Sequence, residues 1–76
     1  MHIELLMQQT ASAVKRSTVV VTNPTRIVIA LEYREGEIPL PIVRAKGENL
    51  MAEYIINLAR AEGIPVMENV PLARAS

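Results

Sequence analysis

Ser17-Thr18-Val19-Val20-Val21-Thr22-Asn23-Pro24-Thr25-Arg26-Ile27-Val28-Ile29-Ala30-Leu31-Glu32-Tyr33 is the stretch that decides the fold. Residues 17–22 are β-branched almost throughout and read as a buried strand. Residues 26–33 read as a second strand. Ile27, Ile29, Leu31 and Tyr33 face one way there, while Val28, Ala30, Glu32 and Arg34 face the other, because side chains alternate along a strand. Between the two runs stands Asn23-Pro24-Thr25. Asn bonds its own backbone and Pro presets φ, so the tripeptide starts a turn. With Pro in the middle position it is no glycosylation acceptor.

The same tripeptide carries a chemical possibility. An Asn side-chain amide can attack its own main-chain carbonyl, close a five-membered succinimide and expel the next residue as a free amine. The competing route needs the following backbone N–H, which deamidates the side chain. Pro24 has no N–H, so that route is closed. A turn that holds Asn23 in attack geometry leaves cleavage as the remaining reaction. Well-oriented intramolecular groups can remove about 7 kcal/mol of a barrier. A plain turn is the other reading of the same three residues, and the tripeptide alone does not separate them.

Outward from this centre the chain is short. Its 76 residues make one small domain with a limited core. There are no cysteines, and only Tyr33 and Tyr54 are aromatic, so the core is built from Val, Ile, Leu, Ala and Met. Eight basic residues balance eight acidic ones, which does not suit a nucleic-acid binder. No run approaches the ~20 apolar residues of a membrane span, and the first residues lack a signal-peptide pattern. The sequence alone reads as a soluble piece.

The remaining elements follow from periodicity. Ile3, Leu6, Met7, Thr10, Ala11 and Val14 recur at helical steps over residues 3–14. This helix reads as a linker (residues 1–16 ahead of a core at 17–76) or as an ordinary packing helix. Pro39 and Pro41 lead into a third strand at 40–45, which should begin at a sheet edge because proline cannot donate to a ladder. Residues 48–62 form the clearest helix, with a stripe of Leu50, Met51, Tyr54, Ile55, Leu58 and Ala59. Gly63 supplies a left-handed cap and Pro65 prevents continuation. A fourth strand spans 64–70, and Pro71 opens the first turn of another helix at 71–75. Strand, helix and strand in succession suggest a right-handed crossover joining two parallel strands. The expected fold is α/β: a small mixed four-stranded sheet flanked by helices, with an N-terminal linker helix and one β-α-β crossover.

Conventional catalysis has little to work with. His2 is the single histidine, so no Ser-His or Cys-His pair can be assembled inside the fold. No metal site is expected from one His and scattered carboxylates. Gly36, Gly47 and Gly63 are isolated, which excludes a phosphate-cradling loop. Glu32, Glu35 and Glu37 cluster near a turn and read as a solvated face. No cofactor is implied. A small hydrolase or an RNA-binding fold is disfavoured by the lack of His, Cys and basic-aromatic clusters.

Taken in order, several landmarks make the chain resemble the cytoplasmic C-terminal domain of the export-apparatus switch proteins of bacterial type III secretion. They are the strand at 17–22 running into Asn23-Pro24-Thr25, the strand at 27–33, and the loop Gly36-Glu37-Ile38-Pro39-Leu40-Pro41. Ala45-Lys46-Gly47, Ala61-Glu62-Gly63-Ile64-Pro65-Val66 and Pro71-Leu72-Ala73-Arg74-Ala75 follow. The resemblance covers residues 15–75, and the Pro-Leu-Pro loop is more similar to injectisome members than to flagellar ones.

The resemblance implies a parent protein with a membrane-embedded N-terminal part and a domain on the cytoplasmic face of the bacterial inner membrane. It implies self-cleavage within an N-P-T-H motif, with the two pieces staying together, tied to a switch in export substrates. Carried over, the scissile bond is Asn23–Pro24, the attacking group is the Asn23 amide, and Thr25 shapes the turn. The implied partners are other export-apparatus proteins and secreted substrates or their chaperones, with no nucleic acid. This chain departs at Arg26, where the family usually has His. Arg stays protonated and cannot act as a base. Cleavage is still expected, as one intramolecular turnover rather than enzyme catalysis, with geometry around Asn23 and Pro24 dominating and water or a backbone group handling protons. The alternative is an uncleaved docking domain of the same apparatus.

Overall fold

The computed structural model describes residues 2–23, 26–34, 36 and 40–68. The elements run α1 (His2–Lys15), β1 (Val19–Asn23), β2 (Ile27–Glu32), β3 (Ile42–Glu48), α2 (Leu50–Ala61) and β4 (Val66–Glu68). They form one mixed four-stranded sheet in the order β3-β2-β1-β4. β1 pairs antiparallel with β2, β2 antiparallel with β3, and β4 parallel with β1. β3 and β4 therefore run the same way at opposite edges, and α2 carries the chain between them. This is the expected α/β sheet with its single crossover. The expected helix start at 71–75 lies outside the described residues.

The hairpin follows from its sequence. Val19 pairs with Leu31, Val20 with Ala30 and Val21 with Ile29, out to Asn23 with Ile27. The pleat sends Val20, Val28 and Ala30 to the helix side, where they join Val14, Ala52, Ile55 and Ala59 in one buried cluster. Val21 and Leu31 are also buried, and the same alternation puts them on the opposite face. On β1, Val20 and Thr22 thus face the helices, and Val19 and Val21 face the other side. Burial of each such aliphatic side chain stabilises the fold by about 1.5–3 kcal/mol.

β3 begins at Ile42 and runs through Lys46, Gly47 and Glu48, further along than the reading of 40–45. Pro41 stands immediately before it, and the strand does lie at an edge. Its ladder to β2 slips between Ala30 and Leu31: Ala45 faces Ala30, Val43 faces Leu31, and Arg44 is the extra residue of a bulge.

α2 is set by a face centred on Ile55, with Ala52 and Ala59 also buried. Leu50 sits about 140° around the helix from Ile55, at 100° per residue, and is 81% exposed. It leaves the stripe that the sequence assigned to it. The helix ends as Gly63 and Pro65 required. Gly63 has φ +73, its N–H donates to the Arg60 carbonyl at 3.2 Å, and the Ile64 N–H donates to the Ala59 carbonyl at 2.8 Å. This pair of bonds satisfies the last carbonyls of the helix. α1 differs between its ends. Ile3, Leu5 and Leu6 are exposed, whereas Val14 is fully buried in the core, and the Tyr54 hydroxyl donates to the Met7 carbonyl at 3.3 Å.

Candidate functional site

Asn23 is the last paired residue of β1, and its ladder partner is Ile27. Three residues, Pro24, Thr25 and Arg26, therefore connect the strands. Pro24 and Thr25, both named by the sequence reading, lie outside the described residues. Arg26 closes the connection. Its φ is +68, in the left-handed region, and its N–H donates to the Asn23 carbonyl at 3.0 Å. A left-handed residue at the end of a three-residue loop is a recurrent way to join antiparallel strands. The residue is usually glycine, because a Cβ crowds the backbone there.

The far side of Arg26 is held as well. Its carbonyl accepts the Asn49 N–H at 3.3 Å, and Asn49 also has positive φ, +54. Asn49 sits immediately before Leu50, the first residue of α2. The start of the crossover helix thus grips the end of the β1–β2 loop. A cavity of about 520 Å³ opens between them, lined by Thr22, Asn23 and Arg26 on one side and by Asn49, Ala52, Glu53 and Ile56 on the other. Asn23 is half-buried there and Arg26 is exposed.

Sequence reasoning placed Asn23 and Arg26 at this site and missed Asn49. Its one signal was a residue type that tolerates the left-handed region, next to a helix start. Of the three carboxylates read as a solvated face, Glu32 alone is among the described residues. Glu35 and Glu37 lie outside them. Glu32 is 18% exposed at its side chain and accepts Arg44 Nε–H at 2.6 Å and Arg34 Nε–H at 3.3 Å. The Arg44 hydrogen bond holds its carboxyl below the ordinary value, opposed by desolvation and assisted by Arg34. Among the described residues no group of His, Cys, Asp and Glu could hold a metal ion, and no helix is long and apolar enough to cross a membrane.

Comparison with known proteins converges on one group. Residues 1–75 match the model of the FlhB HrpN YscU SpaS family. The chain is 42% identical over 74 residues to Yop proteins translocation protein U of Yersinia pestis, covering 97% of this chain and 21% of that protein. It is 42% identical over 72 residues to flagellar biosynthetic protein FlhB of Aquifex aeolicus, covering 95% and 21%. The chain therefore spans about a fifth of the length of these relatives. Among solved structures, an Asn-to-Asp variant of the EscU C-terminal domain superposes with a TM-score of 0.81 at 45% identity, covering 99% of this chain and 69% of that one. The cytoplasmic domain of FlhB from Shewanella putrefaciens gives 0.75 at 29%, covering 91% and 53%. By a match that runs almost end to end and a shared fold, this chain belongs to the FlhB, HrpN, YscU and SpaS family.

Proposed function

We propose that this chain is the cytoplasmic domain of a type III secretion export-apparatus component, and that it severs its own backbone between Asn23 and Pro24. The Asn23 side-chain nitrogen attacks the Asn23 carbonyl carbon. The new C–N bond closes a succinimide, the bond to Pro24 breaks, and the amide proton passes to the Pro24 nitrogen, which leaves as a secondary amine. No metal, cofactor or external nucleophile takes part. Thr25 shapes the turn and Arg26 supports the loop. The cut takes part in switching export from one substrate class to the next, read by other apparatus proteins and by secreted substrates or their chaperones. The domain works at the cytoplasmic face of the membrane that holds the rest of the parent protein.

The observation that carries this reading is the position of Asn23. It is the last ladder residue of an interior strand, so the scissile bond falls just beyond the sheet. Cutting there removes no β1 ladder bond, and the 1–23 fragment stays seated between β2 and β4. Solved EscU domains carry substitutions at an Asn and at the Pro that follows it, the same residue types as the pair here.

Intact mass spectrometry of freshly purified protein tests the proposal. It should show two fragments cut after Asn23, whose masses sum to the parent until the succinimide takes up water. A native sizing column should show one species, and Asn23→Ala should remain whole. A parent chain that stays unbroken on prolonged incubation at neutral pH leaves the docking-domain reading in its place.

A further inference from the structure

The reacting carbonyl already has a donor aimed at it. The Asn23 carbonyl oxygen accepts the Arg26 backbone N–H at 3.0 Å. When the side-chain amide adds to that carbonyl, its C=O π electrons move onto this oxygen and make it an oxyanion. When the C–N bond to Pro24 breaks, the charge returns to re-form the C=O, and the proton shed by the amide ends on the Pro24 nitrogen. A hydrogen bond to the charged oxygen is stronger than one to the neutral carbonyl. A donor in this place therefore lowers the barrier by differential binding. We infer that the Arg26 backbone N–H is the oxyanion donor of the cleavage reaction, held ready by the left-handed turn at Arg26 and by the Asn49 N–H on its carbonyl. This inference rests on the self-cleavage reading of Asn23.

Two features support preorganisation rather than a passing contact. Arg26 holds φ +68 without being glycine, a conformation that persists only when surrounding structure enforces it. The enforcing contact is the Asn49 N–H at 3.3 Å on the Arg26 carbonyl. Together these fix both ends of the Arg26 unit, so its N–H need not reorganise as charge develops. The assignment also fits an arginine here. The donor is main chain, so a side chain that cannot act as a base is no obstacle.

Total synthesis of the 76-residue chain with an ester replacing the amide between Thr25 and Arg26 deletes this N–H and keeps the side chain. Cleavage after Asn23 should slow at least about tenfold, less than the hundredfold or more of enclosed oxyanion holes because water reaches this loop. Fragment masses separate this cut from hydrolysis of the ester itself. A second measurement does not depend on the ester folding. In labelled Asn23→Ala protein, NMR should detect a through-hydrogen-bond coupling between the Arg26 nitrogen and the carbonyl carbon of position 23. An ester chain that cleaves at the parent rate, or absence of the coupling, overturns the inference. If the synthetic parent itself does not cleave, the self-cleavage reading fails instead.

Discussion

Gly47 shows how a single residue sets the spacing on which the site depends. It lies on β3 opposite Val28 and is buried beneath α2. A Cβ there would come 2.8 Å from Met51 Cγ, 2.9 Å from Ile55 Cδ1 and 3.2 Å from the Met51 backbone carbon. Its φ is not positive, so the requirement is close approach, not a special turn. The same approach brings Asn49, two residues along, within reach of Arg26. Gly47→Ala should therefore destabilise the domain by about 1–3 kcal/mol, as overpacking does. Urea unfolding on the Asn23→Ala background would report it as a lower midpoint with an unchanged slope. It should also lengthen the Asn49–Arg26 contact and slow cleavage in the otherwise native chain. An unchanged midpoint would show that α2 yields freely and that Gly47 does not fix the spacing.

Among the elements, β3 carries the largest difference between sequence and structure, and its bulge explains a local ion pair. The prolines at 39 and 41 drew the strand's expected start forward, and Lys46-Gly47-Glu48 have the composition of a turn. Pairing with β2 on both sides of the bulge, from Ile42 to Glu48, overrides both signals. The hairpin was legible because Asn-Pro-Thr punctuates two β-branched runs, and the end of α2 because Gly63 and Pro65 mark it. Asn23 was legible at the site for the same reason. The left-handed backbone of Arg26 was not, since arginine carries no mark of positive φ, and that of Asn49 had only the tolerance of its residue type to signal it. Nor was the role of Arg44, which becomes the extra bulge residue only once the register is known and then pairs with Glu32. That pairing holds the folded-state carboxyl below its ordinary value of 4.5. The Glu32 contribution is thus present above that value and is lost as pH falls through the lower folded one. Glu32→Gln should flatten the acid limb of the stability curve below about pH 4.5, measured by urea midpoints on the Asn23→Ala background. Parallel curves for the two proteins would remove the Arg44–Glu32 pair from the account.

At the scale of the whole molecule, the proposed cut changes the order of the folding reaction while leaving the fold in place. The 1–23 fragment supplies α1 and the interior strand β1, which pairs with β2 on one side and β4 on the other. It also supplies Val14 and Val20 to the core. The remainder supplies every other strand and α2, so neither piece keeps a complete core alone. Before the cut, three loop residues hold the two parts at a high effective concentration, and unfolding is unimolecular. After it, unfolding releases two chains, and apparent stability depends on how concentrated they are. Each tenfold rise in protein concentration should stabilise the cleaved form by about 1.4 kcal/mol, while Asn23→Ala should show no such dependence. Urea midpoints at several concentrations of cleaved and Asn23→Ala protein measure the contrast directly. Midpoints of the cleaved protein that do not move with concentration would mean that one fragment holds its fold without the other. In that case the joined sheet described here is not what keeps the pieces together.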